Sequence, residues 1–248
     1  MKVLVCIDDT DNLFSRGTGK LAAAIMETVE ERNWGRCFGI TRHQLFVHPD
    51  VPYTSHNSSM CFEADIDKMF LSDLTAYIVD YLTTESAEGS DPGLCIVLPD
   101  QLGDPDLLIR FGLEAKKKVL KKEDAYRLAD QMGIYLTEHG GTGQGVIGAL
   151  AGTGLRLSGN DGRFRGKLII ESQTNLVSVR EIKSLTVIDL VRSFEGYELA
   201  PDELVRIGEK VKAVLLKGEK VLLVNSASDA EPGKAPWETC TKEQLKAF

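Results

Sequence analysis

The feature that most constrains this chain is its beginning. A short apolar run, Val3-Leu4-Val5-Cys6-Ile7, ends abruptly in Asp8-Asp9-Thr10-Asp11, and a loop from Asn12 to Gly19 then leads into a helical pattern. The run has the length of a strand, is rich in β-branched residues and is unbroken rather than alternating, which predicts burial on both faces. Strand, acidic loop, helix is the local order that follows. Ligands of open α/β sheets bind beyond the carboxyl ends of strands. Three carboxylates delivered to such an edge repel one another unless a cation lies among them, and hard oxygen donors suit Mg²⁺. The loop adds Arg16, Thr18 and Lys20, separated by Gly17 and Gly19. Carboxylates, a hydroxyl and cations together suit the handling of a metal-bound phosphate. Asp and Asn are also common turn formers, so capping of a turn by Thr10 or Asp11 is the competing reading. The segment is not a P-loop, because Phe14 and Leu21 stand where that motif needs Gly and Ser or Thr.

Composition narrows the class. The 248 residues are 43% hydrophobic and 27% charged, ordinary for a globular chain and enough for one large or two modest domains. No apolar run has the length of a membrane span, and Asp8 interrupts the N-terminal run too soon for a signal segment, so a cytoplasmic protein is expected. The five cysteines are scattered and never form a C-x-x-C pair, which predicts buried free thiols rather than a zinc ribbon. A formal net charge of −8 argues against non-specific nucleic-acid binding. The one dense basic run, Lys116-Lys117-Lys118 with Lys121 and Lys122, reads as a solvated helix face.

Along the chain, the patterning predicts helices over 20–32, 72–82, 107–120 and 122–132, and strands over 38–47, 60–66 and 94–98. His43, His48 and His56 flank the second strand without a metal-ligand spacing. The polar loop 53–59 is rich in donors that would suit a substrate. A second glycine-rich stretch, Gly140-Gly141-Thr142-Gly143-Gln144-Gly145-Val146-Ile147-Gly148, contains G-x-G-x-x-G. It lacks the first strand–helix context of a Rossmann fingerprint. Amides free of side chains before a helix make an anion cradle, with Gly141, Thr142, Gly143, Gln144 and Gly145 as its members. The bland reading is close helix packing through Gly148 and Gly152. Beyond Leu157 the turn-rich Ser158-Gly159-Asn160-Asp161-Gly162 suggests a boundary. A strand is expected over 167–171, a helix from Pro201 through Val211, and a hairpin around Lys217-Gly218. Residues 177–190 carry mixed signals. The polar tail from Asn225 is expected to be poorly ordered unless Trp237 docks it.

Ile7-Asp8-Asp9-Thr10-Asp11 with its Arg/Gly/Thr loop, together with Gly143-Gln144-Gly145-Val146-Ile147-Gly148-Ala149-Leu150-Ala151, resembles the N-terminal half of the archaeal tRNA agmatinylcytidine synthetases. Asp91-Pro92-Gly93-Leu94 adds to the likeness. The resemblance implies an ATP-dependent kinase-like domain followed by a ferredoxin-like one. It also implies phosphorylation of an anticodon cytidine, displacement of that phosphate by agmatine, and self-phosphorylation of a threonine that falls on Thr18 here. That family continues into an OB-fold and a zinc ribbon, neither of which is expected from the residues of this sequence. It also carries a basic stretch after its Pro-aromatic pair, where this chain has Thr54-Ser55-His56-Asn57-Ser58 after Pro52-Tyr53.

The expectations are therefore specific. The fold is α/β (α+β), with an ATP-binding kinase-like domain of mixed sheet and helices over 1–157, a small ferredoxin-like domain over 158–226 and a tail over 227–248. The activity is Mg²⁺-dependent transfer of phosphate from ATP to a small molecule or nucleotide. Asp8, Asp9 and Asp11 hold the metal, and one of them serves as base. Arg16 and Lys20 neutralise charge, and Thr18 accepts or binds phosphate. The isolated chain is expected to bind tRNA weakly. Two other classes stay open: a nucleotide-binding regulatory module without turnover, and a tRNA-modifying subunit that needs a separate RNA-binding partner.

Overall fold

In the computed structural model, residues 1–51, 57–170, 172, 174–227, 236–246 and 248 are described below. The expected substrate loop therefore lies largely outside the described residues. The chain divides into two compact units, Met1–Ser158 and Gly159–Phe248.

The first unit is built on β1 (Lys2–Asp8), β2 (Gly35–Gln44), β3 (Ser58–Ile66), β4 (Gly93–Val97) and β5 (Tyr135–Glu138), in the spatial order β5-β4-β1-β3-β2. β1 lies at the centre, and every pairing in this unit is antiparallel. The unbroken apolar character of β1 has a simple cause: both of its faces are covered. Val3, Val5 and Ile7 face one core, with Leu21, Ile25 and Val29 of α1 (Thr18–Glu31) and Leu74, Ile78 and Leu82 of α2 (Leu71–Glu85). Leu4 and Cys6 face the other. That core is closed by α3 (Pro105–Ala115), α4 (Lys122–Met132) and α5 (Gly145–Leu157). Three of the free thiols, Cys6, Cys61 and Cys95, are buried on that second face.

Glycines set how closely α5 approaches the sheet. A Cβ on Gly93 would lie 2.2 Å from the Gly145 carbonyl carbon, and one on Gly145 would lie 2.0 Å from the Asp91 carbonyl oxygen. At Gly152 a Cβ would come within 2.6 Å of Cys6 Sγ. Real Cβ atoms do not tolerate such distances, so glycine at these positions is a condition of the packing.

The second unit holds β6 (Arg163–Phe164), β7 (Leu176–Ser178), α6 (Val179–Leu185), β8 (Leu190–Ser193), β9 (Leu204–Arg206), β10 (Ala213–Leu216), β11 (Glu219–Ser226) and β12 (Trp237–Thr239). β10 and β11 form the expected hairpin, with Lys217 and Gly218 both at positive φ in its turn. α6 starts with a reciprocal capping box between Ser178 and Glu181. Two expectations are corrected. The segment after Pro201 forms β9, not a helix, because Val205 is needed as a buried strand residue pairing with β7 and β12. Residues 167–170 form no strand; the short β6 pairs with β10 instead. Trp237 docks its segment: it lies in β12, and its indole N–H donates to Glu203 Oε1 at 2.9 Å.

Candidate functional site

Antiparallel pairing of β1 with β4 places Asp8 opposite Gly93. The carboxyl end of β1 therefore lies beside the segment that enters β4, and Asp91 joins the acids of the first loop. Beyond this edge lies a cavity of about 530 Å³ whose lining includes Asp8, Asp9, Asp11 and Asp91. Gly17, Thr18 and Gly19 of the α1 N-terminus line it too, as do Gln144, Gly145 and Gly148. Leu45, Phe46, Met60, Val119, Leu120 and Ile147 give it an apolar wall.

The acids are electrostatically loaded. Asp8 is buried, and its carboxyl is pushed up to about 8, first by burial and then by the Asp9 charge. Asp9 rises to about 6, through burial and then the charges of Asp91 and Asp11, opposed by a hydrogen bond from the Asp91 backbone. Among the described residues neither Asp8, Asp9 nor Asp11 makes an ion pair. Asp9 also adopts φ 48°, the left-handed region, where Asp is tolerated better than most residues. Backbone conformations of this kind concentrate at functional sites.

The helix end open to the cavity is that of α1. No side chain caps it, no acid occupies its first turn, and Gly17 at φ 85° starts it. A Cβ on Gly17 would stand 3.5 Å from Asp11 Oδ2. Uncapped first-turn amides with the positive end of the helix dipole suit an anion. Thr18, 6% exposed, is the first residue of this helix.

The glycine-rich stretch is used differently from an open cradle. Asp91 accepts from both the backbone N–H of Thr142 and its hydroxyl, the latter at 2.5 Å. A Cβ on Gly141 would collide with that same carboxylate, and one on Gly143 with Glu138. Glu138 in turn pairs with Lys122, whose Nζ also donates to the Thr142 carbonyl at 2.9 Å. The anion bound at this stretch is thus the protein's own Asp91, held by Thr142 with Gly141 packed against it. Of the five expected cradle residues, the cavity lining includes Gln144 and Gly145. The Gly145 N–H donates to the Asp91 carbonyl at 3.1 Å.

The expected cations are also displaced. Arg16 is exposed and pairs with Glu85, and Lys20 is exposed on the solvent side of α1. The cations that do line the cavity are Arg42 on β2, whose Nε donates to Ser58 Oγ at 2.9 Å, and Lys118 beyond α3, paired with Glu114 at 2.9 Å. Sequence reasoning missed Arg42 and Lys118 as cavity residues, whereas Asn57 belongs to the polar loop expected to suit a substrate. Lys118 belonged to a run read as solvated, and Arg42 lay in an undistinguished strand. Asp91 was signalled by the Asp91-Pro92-Gly93 likeness, but only strand pairing reveals where it goes.

Among the described residues no group of three or more His, Cys, Asp or Glu is arranged to hold a metal ion by itself. Mg²⁺ does not need one, since it is commonly held by one or two carboxylates plus substrate phosphates and water. Asp8 and Asp9, crowded and without ion pairs, fit that role by their chemistry.

The site is thus an acid-lined cavity at an open helix end, on a helix-covered antiparallel sheet. The resemblance read from the sequence is shown over about 62% of the chain, and the mixed α/β class with it. The chain is 31% identical over 163 residues to the tRNA 2-agmatinylcytidine synthetase TiaS of Archaeoglobus fulgidus, a match covering 63% of this chain and 36% of that protein. The crystal structure of apo TiaS matches with a TM-score of 0.53 at 29% identity, over 62% of this chain and 35% of the other. The complex of TiaS with its tRNA and ATP gives the same TM-score and identity, covering 36% of that chain, and the complex with tRNA, AMPCPP and agmatine gives 0.51 at 28%. No family model matches. The chain spans about a third of the length of these relatives. The expectation of weak tRNA binding finds no support in them, since two of the complexes contain tRNA. Among the described residues no helix is long and apolar enough to cross a membrane.

Proposed function

We propose that the first unit binds ATP in the acid-lined cavity and transfers its terminal phosphate to a nucleotide acceptor, free or within RNA. The single observation that carries this reading is the cavity itself, whose lining is shared by Asp8, Asp9, Asp11 and Asp91 and by Gly17, Thr18 and Gly19 at the uncapped α1 N-terminus. Phosphoryl transfer needs positioning and charge neutralisation more than covalent chemistry. In this reading the amides of Thr18 and Gly19 bind phosphate oxygens, and Arg42 and Lys118 offset the negative charge. Asp8 and Asp9 hold Mg²⁺, which when bound neutralises the charge spread over the phosphate oxygens. Asp11 then orients the acceptor hydroxyl and takes its proton. The apolar wall around Phe46 and Ile147 receives a base or other flat apolar group. Thr18, at the phosphate end, is a self-phosphorylation site.

The complexes of the relatives favour a tRNA nucleotide as the acceptor, through a separate RNA-binding partner or through this chain's own surface. The test is transfer of labelled γ-phosphate with free cytidine nucleotides and with bulk tRNA as parallel acceptors. Label on either acceptor, lost in Asp11→Asn, is the expected result. ATP binding without label on any acceptor or on Thr18 would favour a regulatory module and overturn the transfer reading.

A further inference from the structure

Three glycines of α5 lie against the sheet, and they are not equivalent. At Gly145 an added Cβ would meet main chain, including the Gly93 nitrogen at 2.8 Å. At Gly152 it would meet Cys6 Sγ at 2.6 Å and Ser59 Cβ at 3.0 Å, both inside the closed core. At Gly148, the last glycine of the G-x-G-x-x-G stretch, the nearest atoms all belong to side chains: Asp8 Oδ2 at 1.6 Å, Asp8 Cγ at 2.6 Å and Leu45 Cδ1 at 3.1 Å. Asp8, Leu45 and Gly148 all line the cavity. Gly148 is buried, is the fourth residue of α5 and does not have a positive φ. Its backbone therefore asks for nothing that alanine cannot give. Alanine is in general the better residue within a helix.

The demanding neighbour is the Asp8 carboxylate. Asp8 is the last residue of β1, a strand paired on both sides by β3 and β4, so its main chain cannot retreat. A Cβ at position 148 would leave the carboxylate one way out, by rotation of its own side chain into the cavity. Real Cβ atoms keep about 3.0 Å from other heavy atoms, so Asp8 Oδ2 would move by more than about 1 Å. Misplacement of about 1 Å can cost a reaction about 100-fold. Leu45 Cδ1 is the far end of a flexible side chain and has only to give slightly. Substitution at Gly148 thus displaces a site residue where substitution at Gly145 or Gly152 strains the packing of α5.

We infer that Gly148 is a positioning residue for Asp8: its missing side chain is the slot in which one carboxylate oxygen lies, and that slot sets where Asp8 stands at the cavity. The slot rests on the geometry alone, and its consequence for Mg²⁺ and ATP rests on the function proposed above. Gly145 and Gly152, in contrast, serve the close approach of α5 to the sheet.

The test combines thermal melts of the full chain with the Mg²⁺ dependence of ATP binding, read by isothermal titration. Gly148→Ala should melt within about 3 °C of the unchanged protein, and Gly152→Ala about 5–10 °C earlier. The Mg²⁺ concentration that gives half of the ATP binding should rise about 10-fold or more in Gly148→Ala. In an Asp8→Ala background the slot is empty. There Gly148→Ala should leave the residual ATP binding unchanged, and should raise the melting temperature by more than it does with Asp8 present. The cycle of four melts needs no ATP. It therefore judges the slot even if the unchanged protein fails to bind ATP, a result that would overturn the proposed function alone. The inference is overturned if Gly148→Ala melts as early as Gly152→Ala, if it binds ATP with the Mg²⁺ requirement of the unchanged protein, or if its effects are the same with and without Asp8.

Discussion

Replacing Asp8 by Asn is the sharpest physical probe of the site. The carboxyl rises from 3.8 to about 8 in the folded chain, chiefly because it is buried. An acid whose folded value lies above its unfolded one binds its proton more tightly when folded, so its contribution to stability is lost as pH rises between the two values. The window here runs from about pH 4 to about pH 8. At pH 7 the unfolded chain has shed the proton and the folded chain keeps most of it, about three units of mismatch. At about 1.4 kcal/mol per unit this costs about 4 kcal/mol, a ceiling because relaxation and water entry reduce it. Asn keeps the shape and removes the ionisation. Asp8→Asn should therefore leave stability nearly unchanged at about pH 4.5 and raise the melting temperature at about pH 8 by about 5–10 °C. Thermal melts across that window, in buffer with chelator, measure this. Parallel pH profiles for the two proteins would show that Asp8 titrates as an ordinary surface acid, and the picture of a loaded, cation-seeking edge would fail.

Two further outcomes are expected. Gly93→Ala forces a Cβ to within 2.2 Å of the Gly145 backbone, which cannot yield without moving α5; denaturant unfolding should show a loss of about 3 kcal/mol or more, against a negligible change for Gly103→Ala, where nothing lies within 4 Å. Incubation with ATP and Mg²⁺ should add one phosphate to the chain at Thr18 and none in Thr18→Val, read by intact mass and peptide mapping; an unchanged mass, where ATP binding is proven, restricts Thr18 to a binding role.

Much of the first unit was legible because its signals are local. The unbroken β1 run, the helical stripes of α1 and α2 and the acids of the first loop each stem from side chains near in sequence. What escaped depends on pairing between distant segments. Asp91 reaches the site because β1 and β4 run antiparallel, and Arg42 because β2 lies two strands from β1. The glycine-rich stretch shows the limit most clearly. A glycine-rich turn can receive any carboxylate, and here Thr142 within it binds one supplied by the protein, Asp91. The helix pattern after Pro201 failed for a related reason. Pro at a first turn followed by acids is a sound local signal, yet Val205 is worth more to the fold as a buried strand residue.

The central claim is that the acid-lined cavity holds ATP with Mg²⁺, and isothermal titration of ATP into the full chain, with Mg²⁺ and with chelator, tests it most directly. With Mg²⁺ present a saturable heat is expected, together with a stabilisation of about 2.7 kcal/mol at a hundred times Kd. Chelator, or the double change Asp8→Asn with Asp9→Asn, should remove both. No heat and no thermal shift at millimolar ATP with Mg²⁺, or equal binding by the double variant, would contradict the account.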